Sequence, residues 1–178
     1  MIRYRPPQWP ADREPLARLD TSFVTDTVYT VGAEPFGFTL AERHADPPLR
    51  KRYALDPDEL AAMPLVVVAE RGGRAVGVAA VALQEWNRRA VLAHLYVDRG
   101  ARGSGVGAGL LREARRGAEA LGARCLWAET QSVNAPAIRF YRRHGFACCG
   151  LDTTLYDPRD APGETAVFFA LDLAGRRA

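Results

Sequence analysis

The sequence has almost no lysine, few cysteines and no long apolar run. Lys51 is the only lysine among 24 basic residues. The longest nearly apolar run, from Ala75 to Leu83, is far shorter than the roughly 20 residues that a membrane-spanning helix needs. The first ten residues also lack the apolar core of a secretory signal. These absences predict a cytoplasmic protein that does not bind a membrane.

The three cysteines, Cys125, Cys148 and Cys149, do not have the spacing of a disulfide framework or of a zinc site. We therefore expect free thiols and no metal. The net charge is only +3, and the arginines are scattered among 21 acidic residues. Nucleic-acid binding usually needs a clustered basic face, so no nucleic-acid partner is expected. The small cluster Arg112, Arg115 and Arg116 is more typical of the solvated face of a helix.

The 178 residues suit a single domain, predicted to span 1–178, because the hydrophobic (48%) and charged (25%) fractions are those of ordinary globular proteins. Prolines interrupt the first third of the chain. We predict the following elements there: a short helix in 13–19, strands at 27–31 and 36–41, and a helical turn at 58–63.

From Leu65 onward the pattern is clearer. Gly72-Gly73 predicts a hairpin between two strands, and Gly122 predicts the end of a helix. The predicted strands are 65–69, 74–83, 90–97, 124–129, 146–149, 153–156 and 165–171. The predicted helices are one whose apolar positions are Val106, Leu110, Ala114, Ala118 and Leu121, and one that Asn134 caps and that ends at His144-Gly145. This order predicts an α/β (α+β) fold, with a mixed central sheet flanked by helices.

The strongest chemical pattern is a strand, then Arg102-Gly-Ser-Gly-Val-Gly107, then a helix. Glycines allow positive φ and close approach of a ligand to the backbone. The helix start offers free N–H groups and the positive end of a dipole, which together suit a pyrophosphate. Arg102 adds a positive charge. A glycine turn that binds nothing is the plainer alternative.

Two other phosphate motifs fit less well. A P-loop needs a lysine that this stretch lacks. The dinucleotide fingerprint is met loosely by Gly103, Gly105 and Ala108, with Glu129 near the end of the next strand. It requires a tight turn after the strand, whereas Asp98 to Arg102 intervene here, and the strand meander precedes the glycines instead of following them. A nucleotide-binding oxidoreductase module is therefore the weaker hypothesis.

The second pattern runs from Asn134 to Phe146. Ile138 and Phe140 are typical of the core side of a short helix, and a tyrosine such as Tyr141 among apolar neighbours usually places its hydroxyl at the core edge. The spacing alone therefore favours a packing role for Tyr141 over a catalytic one.

Together these stretches resemble the GNAT superfamily of N-acetyltransferases over about Leu65 to Leu171. Arg102-x-x-Gly105-x-Gly107 matches the superfamily's acetyl-CoA motif, and Glu129-Thr-Gln131, Asn134 and Phe140-Tyr141 through Gly145-Phe146 match its second half. Within the superfamily the sequence most resembles streptothricin N-acetyltransferases. The matching segments are 19–29, 37–40, 46–49, 86–89, 133–138 and 149–157.

The resemblance implies an acetyl-CoA-dependent N-acetyltransferase, an acyltransferase acting on a small-molecule amine, and it associates the chain with antibiotic resistance without fixing its physiological role. The implied acetyl-CoA contacts are the strand residues Leu95, Tyr96 and Val97, the loop residues Arg102, Gly103, Ser104, Gly105, Val106 and Gly107, and Asn134 and Tyr141. Tyr141 also stands where many relatives place the general acid that protonates the departing thiolate. A homodimer is left open.

The amine must lose a proton, so a base is needed, and Glu129 and His94 are the candidates. Glu129 is favoured because it ends a strand near the cofactor motif, whereas a lone strand histidine is more often structural. The candidate substrate-binding residues are Asp26, Trp86, Asn87 and Asp152, although an aspartate at such positions is about as often a turn or capping residue.

The strand before the glycine loop departs from the resemblance. Streptothricin acetyltransferases carry acidic residues there, where this chain has Ala93, His94 and Tyr96. Losing that negative charge predicts weaker binding of a cationic antibiotic. Two alternatives to a streptothricin acetyltransferase therefore stay open: a GNAT enzyme acting on another amine, and a non-catalytic acyl-CoA-binding module.

Overall fold

The computed structural model describes residues 1–173, which contain nine strands and four α-helices. In chain order the elements are β1 (Ile2–Arg5), α1 (Arg13–Ala17), β2 (Phe23–Glu34), β3 (Gly37–Lys51), α2 (Pro57–Ala61), β4 (Leu65–Arg71), β5 (Arg74–Gln84), β6 (Arg89–Val97), α3 (Val106–Ala120), β7 (Cys125–Gln131), α4 (Ala135–Arg143), β8 (Ala147–Asp152) and β9 (Ala166–Asp172). No helix among the described residues is long and apolar enough to cross a membrane.

The described residues form two compact units. The first consists of Met1–Phe23, Arg52–Leu126 and residues 172–173, and the second of Val24–Lys51 and Trp127–Leu171. The domain predicted from the sequence also takes in residues 174–178, which lie outside the described residues. That the chain is one domain stays a prediction.

The first unit is an antiparallel sheet with the strand order β1-β4-β5-β6. Because successive strand residues point to opposite faces, β4 and β5 present two apolar faces. One face packs with α1 and α2 in a core cluster formed by Leu16, Leu19, Leu60, Val66, Val68, Val78 and Ala80. The other face receives α3.

Small residues let α3 lie close to this sheet. A Cβ on Gly109 would lie 1.8 Å from the hydroxyl oxygen of Tyr4 on β1, so only glycine fits there. The opposite side of α3 is solvated, and its arginines pair with Glu113 and Glu119. The interpretation of Arg112, Arg115 and Arg116 as a solvated helix face is therefore confirmed.

The second unit contains the hairpin β2-β3 as a separate two-stranded sheet and the neighbouring strands β7-β9-β8. Two hydrogen bonds lie at the opposite ends of the β7-β9 pair: Leu173 N donates to Arg124 O (3.0 Å) and Ser132 N donates to Thr165 O (2.8 Å). These bonds show that the two strands are antiparallel. In this register Glu129 lies opposite Phe168.

Most of the predicted elements are confirmed, with three corrections. The strand predicted at 153–156 is wrong: β8 ends at Asp152, whose Oδ1 accepts hydrogen bonds from the N (2.7 Å) and Oγ1 (2.8 Å) of Thr154, forming a turn. Leu121 is not on the buried stripe but is 43% exposed, because α3 has already ended. β1 was not predicted at all.

Candidate active site

The predicted anion-binding loop connects β6 to α3. After β6, Asp98 Oδ1 accepts a hydrogen bond from Gly100 N (2.9 Å) and starts a short 3-10 turn over Arg99–Ala101. Gly103 and Gly105 then adopt φ values of 75° and 83°, a left-handed conformation that strongly favours glycine. Ser104 closes the loop, because its Oγ donates to Ala101 O at 2.6 Å.

The start of α3 offers backbone donors to this loop. Gly105 is the N-cap residue, and no side chain among the described residues caps the helix. The first N–H groups of a helix have no partner within it, and they carry the positive end of its dipole. Val106 is buried, so its side chain anchors the helix while its backbone stays at the loop. The backbone from Gly103 to Gly107 therefore has donors available at the helix start, whereas its binding of an anion stays a prediction.

Arg102 links the glycine loop to other segments of the first unit. Its guanidinium donates to the carbonyl oxygens of Val97 (3.0 Å), Ser22 (2.6 Å) and Asp20 (3.4 Å). Burial lowers the pKa of Arg102, whereas the carboxylates of Asp20 and Asp98 raise it. The guanidinium donors are thus directed at carbonyl groups and help to shape the loop, whereas a role of Arg102 in anion binding stays a prediction.

A β-bulge in β6 separates two sets of side chains. His94 pairs with Ala80 and Leu92 with Val81 on β5, so Ala93 is an extra residue without a partner there. Beyond the bulge, His94 and Tyr96 share the face of the core cluster, whereas Leu95 and Val97 point to the α3 face.

An aromatic row continues from these two residues within the first unit. The ring centroids of His94 and Tyr96 are 6.0 Å apart, those of Tyr96 and Tyr53 6.1 Å, and those of Tyr53 and Phe23 5.9 Å. Neither ring nitrogen of His94 has a hydrogen-bond partner among the described residues, although Glu59 Oε1 lies 3.4 Å from Nε2. Glu59, on α2, is a neighbour that the sequence did not reveal.

Glu129 lies on β7 in the second unit. Its Oε1 accepts a hydrogen bond from the hydroxyl of Tyr156. Burial raises the pKa of the Glu129 carboxyl, and the Tyr156 hydrogen bond partly opposes that shift. A carboxylate whose pKa is raised toward neutrality is suited to accept a proton, which agrees with the predicted base.

Tyr141 lies on the opposite face of the β7-β9 pair from Glu129. Its ring, 7% exposed, contacts the rings of Phe146 (centroids 5.2 Å apart) and Phe169 (5.7 Å). Trp127, on the same face of β7 as Glu129, instead packs on Phe168 (4.9 Å). Since Phe168 and Phe169 are consecutive strand residues, they point to opposite faces.

Asn134 begins α4 as the sequence predicted. Its Oδ1 accepts a hydrogen bond from Ala137 N at 3.1 Å, and Pro136 lies in the first turn. The cap is therefore confirmed, whereas contact between Asn134 and a cofactor stays a prediction.

Among the candidate substrate-binding residues, two shape turns. Asp152 organises the turn after β8, and Asn87 Oδ1 accepts a hydrogen bond from Arg89 N (3.0 Å) in the turn between β5 and β6. Trp86, in that turn, is 86% exposed. Asp26 is exposed on β2, where its Oδ1 accepts from Thr27 Oγ1 at 3.0 Å. Of the four, Trp86 and Asp26 are the most accessible to a ligand.

Comparisons with known proteins agree with this geometry. A sequence model of the acetyltransferase (GNAT) family matches residues 26–146. Streptothricin acetyltransferase from Streptomyces lavendulae is 40% identical over 171 residues, which are 91% of this chain and 90% of the relative. The crystal structure of nourseothricin acetyltransferase has a TM-score of 0.87 and 42% identity, covering 97% of this chain and 98% of its own.

A structure from Bacillus anthracis, solved in complex with acetyl coenzyme A, shares the fold. It has a TM-score of 0.82 and 22% identity, and the match covers 97% of this chain and 99% of that one. The predicted fold class, an α/β (α+β) fold with a mixed central sheet flanked by helices, is thereby confirmed.

Proposed function

This chain belongs to the acetyltransferase (GNAT) family, and we propose that the primary amine it acetylates is of the streptothricin type. Its activity is that of an acetyl-CoA-dependent N-acetyltransferase. The structural observation that supports the acetyl-CoA-dependent activity is the glycine loop at the start of α3, with Gly103 and Gly105 at positive φ. The names of the relatives that span nearly the whole chain support the acceptor class.

The loop fits the pyrophosphate of acetyl-CoA in both shape and charge. The loop offers backbone N–H groups at a helix start with no side-chain cap among the described residues, and such donors suit phosphate oxygens. We propose that Gly103 to Gly107 bind the pyrophosphate, with Arg102 supplying charge, and that Leu95 to Val97 and Asn134 bind the rest of the cofactor. Acetyl-CoA supplies the acetyl group as an activated thioester.

Glu129 and Tyr141, both in the second unit, would be the base and the acid of the reaction. Glu129 accepts the proton of the amine, so that the nitrogen lone pair can attack the thioester carbonyl carbon. Tyr141 donates its hydroxyl proton to the sulfur as the carbon–sulfur bond breaks.

The acceptor side differs from that of the resembled enzymes, because β6 carries no carboxylate at 93, 94 or 96. A carboxylate is nevertheless present close by, because Glu59 Oε1 lies 3.4 Å from His94 Nε2 and the Glu59 side chain is 61% exposed. We propose that Glu59 supplies negative charge to the cationic acceptor; Asp26 and Trp86 stay predicted acceptor contacts. Asn87 and Asp152 would affect binding of the acceptor indirectly, because their side chains hold the turns that they form.

A CoA-release assay on the native chain tests the acceptor. Streptothricin, aminoglycosides, polyamines and amino-acid amines are supplied at matched concentration with acetyl-CoA. We expect streptothricin to give the highest kcat/KM. Faster turnover of another amine would overturn the acceptor class and leave the transferase activity intact. Acetyl-CoA binding by calorimetry without CoA release on any amine would favour the non-catalytic binding module.

Cytoplasmic location and a homodimer stay predictions.

A further inference from the structure

The segment after β8 brings a tyrosine to the proposed base. Asp152 ends β8 by accepting two hydrogen bonds from Thr154, and the chain then turns to place Tyr156 against Glu129 on β7. The two residues are 27 positions apart in sequence. The contact is a hydrogen bond from a phenol to a carboxylate, which is stronger than a bond between neutral groups.

We propose that Tyr156 is a positioning residue of the transferase reaction, whose hydroxyl holds the Glu129 carboxylate in the orientation that accepts the proton of the acceptor amine. The inference rests on the proposed function, because it needs Glu129 to be the base. Tyr156 itself need not touch either substrate.

The surroundings of Glu129 leave Tyr156 as its main polar partner. The residues nearest to Glu129 on this face are Trp127 and Gln131 of β7 and Phe168 and Ala170 of β9. None of these four side chains ionises. Aromatic packing restricts access of water to the carboxylate, so the Tyr156 hydroxyl replaces part of the lost hydration.

The nearby charged groups are already engaged elsewhere. Asp172, at the far end of β9, lies opposite Cys125 in the register set by the hydrogen bonds at the ends of the β7-β9 pair. Asp157, next to Tyr156, pairs with Arg159, and its Oδ1 accepts from Arg159 Nε at 3.0 Å. The carboxylate of Asp152 is held by Thr154. The pKa of Glu129 therefore reflects burial and the Tyr156 hydrogen bond, with no contribution from the charge of these groups.

The hydrogen bond from Tyr156 to Glu129 should affect the pH dependence of the reaction. The Tyr156 hydrogen bond stabilises the ionised carboxylate, and therefore lowers the pKa of Glu129 against the effect of burial. Removing the hydroxyl should raise that pKa further. A larger fraction of Glu129 is then protonated near neutral pH, where it cannot act as a base.

The test compares Tyr156→Phe with the native enzyme in CoA release, using the best acceptor over a range of pH. We expect kcat to fall about tenfold at slightly acid to neutral pH, the scale of a charge-assisted hydrogen bond. The loss should shrink at alkaline pH, and the KM for acetyl-CoA should not change. The matched control is Tyr29→Phe, because the Tyr29 hydroxyl also donates to a glutamate, Glu42 Oε1, at 2.5 Å. It should leave the pH profile unchanged.

Two outcomes separate the proposal from the function on which it rests. If Glu129→Gln loses most turnover while Tyr156→Phe keeps the native pH profile, Glu129 is the base and the positioning role is wrong. If Glu129→Gln keeps full turnover, the base assignment fails, and the positioning role fails with it.

A measurement independent of activity completes the test. A carboxyl-carbon NMR titration of glutamate-labelled protein, with the Glu129 resonance assigned from Glu129→Gln, should show Glu129 titrating at higher pH in Tyr156→Phe than in the native chain. An unchanged titration would overturn the proposal even if kcat falls.

Discussion

Replacing Tyr141 with phenylalanine separates catalysis from packing at this position. The ring is 7% exposed and lies against Phe146 and Phe169, so it belongs to the core of the second unit. Phenylalanine keeps these ring contacts and removes only the oxygen. Loss of one hydrogen-bonding group costs about 1 kcal/mol of unfolding free energy, whereas truncation of a buried aromatic ring to alanine costs about 3–5 kcal/mol. Tyr141→Phe should therefore fold normally.

The kinetic effect should be much larger than the effect on stability. If the hydroxyl protonates the departing thiolate, Tyr141→Phe should lose about 10²-fold or more in kcat, equivalent to roughly 2.7 kcal/mol in activation free energy. The affinity for acetyl-CoA, measured by calorimetry, should stay near the native value. Tyr29→Phe again serves as the matched control and should retain kcat. A folded Tyr141→Phe enzyme with native kcat would show that Tyr141 only packs, and the acid would have to be sought elsewhere.

Two further substitutions test the cofactor loop and the fold. Gly107→Val puts a branched side chain on the first turn of α3 and should weaken acetyl-CoA binding at least tenfold in calorimetry, whereas Ala120→Val, in the last turn of the same helix, should not. Asp12→Asn breaks the buried pair with Arg5 (2.7 Å) and should lower the free energy of unfolding by about 3 kcal/mol in urea. The Arg5 hydrogen bond lowers the pKa of Asp12 in the folded chain. The native chain therefore has this extra stability above the unfolded-state pKa of Asp12 and loses it as the pH falls through the folded-state pKa. A difference in unfolding free energy between the native chain and Asp12→Asn that persists in acid would contradict this.

The cofactor loop could be predicted from the sequence because its structure is local. The positions of Gly103 and Gly105, the helix start and the end at Gly122 all follow from residues within a few positions of one another. The Gly72-Gly73 hairpin follows in the same way, with φ values of 58° and 76°. Backbone preference alone determines these features, so no tertiary contact was needed to predict them.

The extent of the β2-β3 hairpin could not be predicted. Pro47 and Pro48 lie within β3, where proline usually indicates the end of a strand. Among the described residues β3 pairs only with β2, so one of its edges needs no ladder hydrogen bonds. That edge accommodates one of the two prolines, because consecutive strand residues direct their nitrogens to opposite edges. The sequence does not show which edge of a strand is free, and the predicted strands were therefore too short.

The contact between Tyr156 and Glu129 also lay outside what the sequence could show. Tyr156 was part of a segment that resembles streptothricin acetyltransferases, but nothing local gives it a role. The contact requires β8 to end at Asp152, and the predicted strand at 153–156 would have carried the chain past that turn. Because the sequence analysis misplaced the strands around Asp152, it did not identify Tyr156 as a hydrogen-bond partner of Glu129, the proposed base.

The substitutions on β6 have unequal consequences for binding a cationic acceptor. Tyr96 packs against the core cluster that contains Val68 and Val78, so a glutamate at 96 would bury a carboxylate against apolar side chains at a cost of several kcal/mol. Position 94 differs, because Glu59 on α2 already holds a carboxylate 3.4 Å from His94. A mostly exposed carboxylate paired with an ammonium group contributes up to about 1 kcal/mol. Glu59 can therefore replace part of the negative charge that β6 lacks, and it does so from a mostly exposed position that leaves the core cluster intact.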